Sequence, residues 1–364
     1  MNRRSFFLSA AALAATPAFP QRIDRGEVDL ETLLDVTSTP GLAARGVVKG
    51  KKIDRFAGVD ADTIFSAASL TKPVFAMSVR YLVREGKLDW NKPLQDYAPL
   101  GLTGDAVSIT AEHVLMHGTG LVNWRFDTKA ELASSFKPGT QWRYSGEGYV
   151  LLQRVVEKIV GKPLGIHLNE TLLPRLGMSQ STFSWTPEIE KRAAKGHDVH
   201  GAPLEKSANY YARAIYDVAV KAGSTPDRMA YDQMIEAAKK FGGSPLPIAV
   251  APNAAGSLWT TVHDYATFLN RSVRDQAEHP DEYTPRNRVN RKISWTLSWG
   301  VDSSLDVPSY FHWGDGPGVK NIAWWQPANK TALVIFTNSD HGASAWHYLL
   351  RHLLDADPLA PEWI

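Results

Sequence analysis

An α+β fold is predicted, with one antiparallel sheet drawn from both ends of the chain and a helical lobe inserted between them. Three observations predict it. Strand-like segments separated by turns follow one another after about residue 290. A hairpin-like pair lies near residue 50, and apolar residues at helical spacing dominate the stretch between the two. Strands at both termini with helices in the middle suit a single sheet carrying a segregated helical layer.

The elements follow in order. Residues 21–36 are polar with spaced leucines and read as a first short helix. Gly46-Val47-Val48 and Ile53-Asp54-Arg55-Phe56 flank the turn-like Lys49-Gly50-Lys51-Lys52, which predicts a hairpin. Val74, Met77, Val79, Tyr81 and Leu82 make Pro73 to Glu85 a largely buried helix. Thr110 is placed to cap a short helix through Val114 and Leu115, with Gly118 near its end. The amphipathic run 149–160 stops at Gly161 and Pro163. Helices are also predicted over 206–222 and 226–240, parted by Gly223-Ser224-Thr225-Pro226, and over Asp264 to Leu269. Ile293 to Val301, Tyr310 to Trp313, Lys320 to Trp325 and Thr331 to Thr337 read as strands, and Ala343 to Leu354 as a closing helix. No internal repeat or linker-bounded second domain is visible.

Bulk properties narrow the function classes. With 364 residues, 44% hydrophobic and 21% charged, the chain can bury a substantial core. A formal charge of +2 offers no electrostatic footprint for nucleic acid. The absence of cysteine excludes thiol nucleophiles, thiolate metal sites, disulfides and a lipid-bearing cysteine. Residues 1–20 read as an export signal: a basic Met1-Asn2-Arg3-Arg4, an apolar run from Ser5 to Ala15, then Thr16 and Ala18 as small residues before a cleavage point. The run is too short to span a bilayer, so no stable membrane span is expected after its removal. Arg3-Arg4-Ser5-Phe6-Phe7 resembles a twin-arginine signal, which predicts a periplasmic or secreted protein with residues 21–364 as its domain.

Serine is a poor nucleophile until a base removes its proton. In an S-x-x-K pattern at a helix start, the lysine lies one turn beyond the serine on the same face. Held away from bulk water, that lysine can be neutral enough to act as the base. Two segments match: Ser69-Leu70-Thr71-Lys72 and Ser134-Ser135-Phe136-Lys137. Ser69 precedes a strongly apolar helix, whereas Lys137 runs into the turn-like Pro138-Gly139, so Ser69 is the candidate nucleophile.

Phe65-Ser-Ala-Ala-Ser-Leu-Thr-Lys-Pro-Val74 resembles the nucleophile segment of the β-lactamase-related serine hydrolases. That family includes class C β-lactamases, D-alanyl-D-alanine carboxypeptidases and β-lactamase-fold esterases. Further segments resemble it in order: Thr39 to Leu42, Ile109 to Leu121, Lys137 to Gly146, Pro174 to Met178, Gly256 to Thr261 and Phe311 to Gly314. The resemblance implies the serine β-lactamase and penicillin-binding-protein fold. It also implies Tyr144, first residue of a Y-x-N-like motif, as the partner of Lys72 in proton transfer. Gly146 stands where the family carries the motif's asparagine, which weakens the case for efficient β-lactam hydrolysis. His312-Trp313-Gly314 fits the family's H-x-G variant of a strand motif. There His312 would polarise the site or bind a substrate carboxylate, Gly314 would admit the substrate backbone, and the Asp315 N–H would join that of Ser69 as an oxyanion donor.

The expected activity is therefore a serine hydrolase acting on an ester, amide or lactam, with an esterase or D-amino-acid peptidase ahead of a class C-like β-lactamase. A catalytically silent binding protein of the same fold is the alternative. A small-molecule or peptidoglycan-like substrate is expected, with no nucleic acid and no cofactor, and the oligomeric state is left open. Residues 206–242 are longer than the family usually carries at this point and are expected to cover the cleft as a lid. His113 and His117 are four apart as a metal pair could be, and His197-Asp198-Val199-His200 forms a second cluster. Neither brings a convincing third ligand, so no metal is expected. No G-x-S-x-G, P-loop or dinucleotide motif occurs.

Overall fold

The computed structural model describes residues 28–127 and 130–363. The predicted export signal at 1–20, and the first residues of the predicted 21–36 helix, lie outside the described residues. That helix appears as α1 (Leu30–Val36), capped by the Asp29 side chain on the Glu31 N–H.

Among the described residues ten strands form two sheets. The hairpin β1 (Leu42–Val48) and β2 (Lys51–Ala57) turns on Lys49 and Gly50 alone, tighter than the four residues expected. Both take positive φ, 50° and 79°, the two-residue geometry that matches strand twist. A two-stranded piece, β3 (Phe65–Ser66) with β4 (Trp259–Thr260), sits apart. The chain then supplies β5 (Asn287–Arg288), β6 (Ile293–Trp295), β7 (Gly300–Asp302), β8 (Ser309–Gly316), β9 (Val319–Gln326) and β10 (Thr331–Thr337). The main sheet runs β2-β1-β10-β9-β8-β7-β6-β5, antiparallel throughout, so strands from both ends of the chain meet where β1 pairs β10.

Both faces of this sheet are covered. Along β10, Leu333 and Ile335 enter one core with α1 and α11 (Gly342–Leu354). Val334 and Phe336 enter the other, with α2 (Thr71–Arg84) and α10 (Val262–Glu278). Period-two alternation with both faces buried makes β10 read as a continuous apolar run.

The helical lobe lies between β3 and α10. It contains α3 (Ala111–Leu115), α4 (Gly146–Val160), the short α5 (Leu164–His167), α6 (Leu173–Leu176) and α7 (Pro187–Arg192), then α8 (Ala208–Lys221) and α9 (Tyr231–Phe241). A last short helix, α12 (Ala360–Trp363), follows α11. α2 is buried from Thr71 to Leu82, as befits a helix enclosed by sheet and lobe together.

Three further predicted elements differ from what the chain adopts. The helix expected over 226–240 is a 3₁₀ turn at Pro226–Arg228 followed by α9 from Tyr231. Ile293 to Val301 is two strands, β6 and β7, joined by a turn at Thr296 to Trp299. The turn carries no glycine, proline or asparagine and buries Leu297 and Trp299, so it lacks the usual markers. Ser298 adopts φ 85° there, with its hydroxyl against the Tyr149 hydroxyl at 2.9 Å. The predicted Asp264 to Leu269 helix extends to Glu278, because its polar second half buries Asp275 between Arg84 and Tyr283.

Candidate active site

The candidate nucleophile stands at a strand-to-helix corner. β3 is tied to β4, the Ala67 N–H donates to the Leu258 carbonyl at 2.9 Å, and Asn321 Nδ2 donates to the Ser66 carbonyl at 3.0 Å. Ala68 then takes φ 47°, a left-handed conformation that costs a non-glycine residue about 1–2 kcal/mol. The chain turns through a short 3₁₀ segment into α2, leaving Ser69 half-buried at the corner. Thr71 holds the turn: its hydroxyl donates to the Ala68 carbonyl at 2.6 Å and accepts the Leu258 N–H at 3.0 Å.

One helical turn later, Lys72 Nζ lies 3.0 Å from Ser69 Oγ and donates to the Ala255 carbonyl at 2.8 Å. That carbonyl belongs to a loop pinned by Gln153, which accepts the Ala254 N–H and donates to the Pro252 carbonyl. Lys72 is 1% exposed and forms no ion pair among the described residues. Burial without a counter-charge disfavours the ammonium, pushing its pKa down to about 7. A neutral amine at this distance can accept the Ser69 proton.

Tyr144 closes the third side. Its ring lies 4.9 Å from Lys72 Nζ. Its buried hydroxyl is near enough to Ser69 to be influenced by it, yet makes no hydrogen bond of ordinary geometry. Burial raises its pKa far above the usual phenol value, against the lowering pull of Ser69, so it stays protonated and can donate. His117 backs the ring at 4.2 Å between centroids, and its Nδ1 accepts the Ser145 N–H at 3.2 Å. Burial first, then Lys72 and His312, hold His117 neutral.

β8 borders the same corner. A Cβ on Gly314 would lie 2.3 Å from the Ala67 carbonyl oxygen and 3.1 Å from Asn321 Nδ2. The bare glycine is therefore required by the nucleophile segment itself, a different reason from the substrate approach expected at that position. Asp315 and Ser69 line one cavity, so the two expected oxyanion donors belong to residues on a common wall. His312 is fully buried and does not line that cavity. Its Nδ1–H donates to the Trp313 carbonyl at 2.8 Å, Nε2 has no partner, and burial with the nearby Lys72 pushes its pKa down to about 3. A neutral imidazole in that position cannot supply the charge expected for binding a substrate carboxylate.

The remaining candidates are not brought to this corner. The Ser134 hydroxyl donates to the Thr119 carbonyl at 2.8 Å from an irregular segment, with no helix to place Lys137 beside it. His113 serves a capping box, its Nδ1 accepting the Thr110 N–H, while His117 faces Tyr144. His197 Nδ1 contacts the Asn338 carbonyl, and the Asp198 carboxylate accepts the His200 and Ala202 N–H groups. The Ala255 carbonyl, Asn321 and the Trp124 indole carried no sequence motif of their own. The signal for Trp124 is Gly146, since a Cβ there would lie 2.3 Å from Trp124 Cζ2.

A family model described as Beta-lactamase matches residues 29–357. The chain belongs to the beta-lactamase family. The chain is 30% identical to Esterase EstB of Burkholderia gladioli over 184 residues, 42% of this chain and 46% of that protein. It is 27% identical to a beta-lactamase of Pseudomonas fluorescens over 208 residues, 54% and 56% of the two chains. Penicillin-binding protein 4* of Bacillus subtilis strain 168 is 21% identical over 320 residues, 82% of this chain and 66% of that one. The chain thus spans about half the length of the esterase and the beta-lactamase it matches. A class C beta-lactamase superposes with a TM-score of 0.69 at 17% identity, covering 90% of this chain and 94% of that one. The D-alanine carboxypeptidase AmpC of Burkholderia cenocepacia gives 0.66 at 16%, covering 90% and 96%. These two likenesses establish the shared fold. No helix among the described residues is long and apolar enough to cross a membrane.

Proposed function

We propose that this beta-lactamase family member is a serine hydrolase that opens an ester or amide carbonyl through an acyl-enzyme on Ser69. The observation that carries the reading is the buried, counter-charge-free Lys72 amine 3.0 Å from Ser69 Oγ. Neutral Lys72 takes the hydroxyl proton as Oγ attacks the carbonyl carbon. The oxyanion that forms is met by the backbone N–H groups of Ser69 and Asp315. Tyr144, kept protonated by burial, gives its proton to the departing alkoxide or amine as the bond to it breaks, and Lys72 restores that proton. Water then cleaves the acyl-enzyme by the reverse use of the same groups. In this reading α8 and α9 cover the cleft, since both line the cavity that opens beside Ser69.

The test is intact-protein mass after brief exposure to a fluorophosphonate and, separately, to p-nitrophenyl acetate. The wild type should gain one adduct or turn the ester over steadily, and Ser69→Ala should do neither. An adduct that survives in Ser69→Ala, or a wild type inert to both reagents, overturns the proposal.

A further inference from the structure

The cavity beside Ser69 has a chemistry that narrows the substrate. Its volume is about 490 Å³, within the range of small-molecule sites. The walls are Trp124, Trp185, Trp259, Ile215 of α8, Met234 of α9 and Ile248, among other mostly apolar residues. Among the described residues no lysine, arginine or histidine lines it. Its one carboxylate is Asp315, already paired with Lys320 at the rim. A substrate carboxylate would thus meet no cation on the cavity wall, the nearby Lys320 being already paired with Asp315, a costly placement in a largely apolar site.

Gly146 supplies an independent observation. A Cβ at this position would lie 2.3 Å from Trp124 Cζ2, so the indole occupies the space a longer side chain would need. The indole is held there. Asn123 accepts the Gly146 N–H through Oδ1 at 2.9 Å, and the buried Glu147 carboxylate accepts the Arg125 backbone N–H at 2.9 Å and its guanidinium at 3.1 Å. Where a side-chain amide could have bound a substrate amide, the wall presents an aromatic face.

Resting on the acyl-enzyme reading above, we infer that the substrates are uncharged carboxylic esters whose extended apolar acyl group fills this cavity. The acyl side is indicated by Tyr144. It protonates the leaving group and does not line the cavity, so the leaving group departs elsewhere. α8 and α9 are then the specificity-determining wall of the enzyme.

The experiment compares kcat/KM for p-nitrophenyl acetate, butyrate, hexanoate and octanoate with that for the carboxylate-bearing p-nitrophenyl hemisuccinate. Each buried methylene contributes about 0.8 kcal/mol, up to about fourfold in rate. Four methylenes separate acetate from hexanoate, so the expected rise is at least about tenfold and at most about 200-fold, and the hemisuccinate should lag the butyrate by about tenfold or more. Ala212→Trp, which fills the cavity from α8, should cut the hexanoate-to-acetate ratio by about fivefold or more. A flat or falling series, or a preference for the hemisuccinate, overturns the inference while Ser69-dependent acetate turnover leaves the acyl-enzyme proposal standing. Without Ser69-dependent turnover of any ester the inference falls, and the acyl-enzyme proposal falls with it only if no Ser69-dependent adduct forms with the fluorophosphonate or the ester either.

Discussion

Replacing Lys72 by methionine should abolish hydrolysis and yet make the fold more stable at neutral pH. In the fold the lysine titrates near 7, against an ordinary 10.5, because it is buried without a counter-charge. Each pH unit between those values corresponds to about 1.4 kcal/mol. At pH 7 the unfolded chain binds this proton more tightly by about 4 kcal/mol, and the native state bears that cost. Methionine has a similar length and no charge to desolvate. It leaves the Ala255 carbonyl without its donor, which costs about 1–3 kcal/mol, so the net gain at pH 7 should be about 1–3 kcal/mol.

The pH dependence is the sharper signature. Between about 7 and 10.5 the unfolded state holds more protons at this residue than the native state, so wild-type stability rises with pH. From pH 7 to pH 9 the wild type should recover about 2 kcal/mol relative to Lys72→Met, measured by urea denaturation of both proteins at pH 7, 8 and 9. The same titration should appear in catalysis, with wild-type kcat/KM rising through pH about 7 as the amine becomes neutral. Parallel stability curves for the two proteins would refute the argument that Lys72 is held neutral by burial.

Two further substitutions probe the packing around the corner. Gly314→Ala places a methyl 2.3 Å from the Ala67 carbonyl oxygen, so it should displace the nucleophile segment, lowering kcat by about 100-fold and stability by about 1–3 kcal/mol; a variant with wild-type kcat would show that β8 can yield. Gly146→Asn should cost about 1–3 kcal/mol through its collision with Trp124, read as a lowered urea midpoint, with Trp124→Ala restoring part of the loss in the double variant. Additive losses in that double variant would mean that residues 124 and 146 do not share the space.

Much of this protein was legible in one dimension. Helices α4 and α11 follow from local periodicity, because each buries a face that repeats at the spacing of its own backbone, while β9, β10 and α2, enclosed on all sides, were legible as largely apolar runs. The candidate nucleophile Ser69 and the candidate base Lys72 were visible together since three residues of helix put them on one face, a purely local relation. The β6–β7 turn was not, because burial of Leu297 and Trp299 replaced the polar residues that mark turns.

What the sequence by itself determined is the fold class, the pairing of Ser69 with Lys72 and the absence of thiol chemistry. Only the tertiary structure decided what those groups are worth. Lys72 loses its proton near pH 7 because α2 is enclosed by the sheet and the lobe. His312 is uncharged because its strand turns it into the core. Gly314 serves Ala67, and Trp124 fills the space over Gly146, through contacts between residues distant in sequence. Charge state and cavity shape depend on everything within a few ångströms of a group, and most of that arrives from elsewhere in the chain.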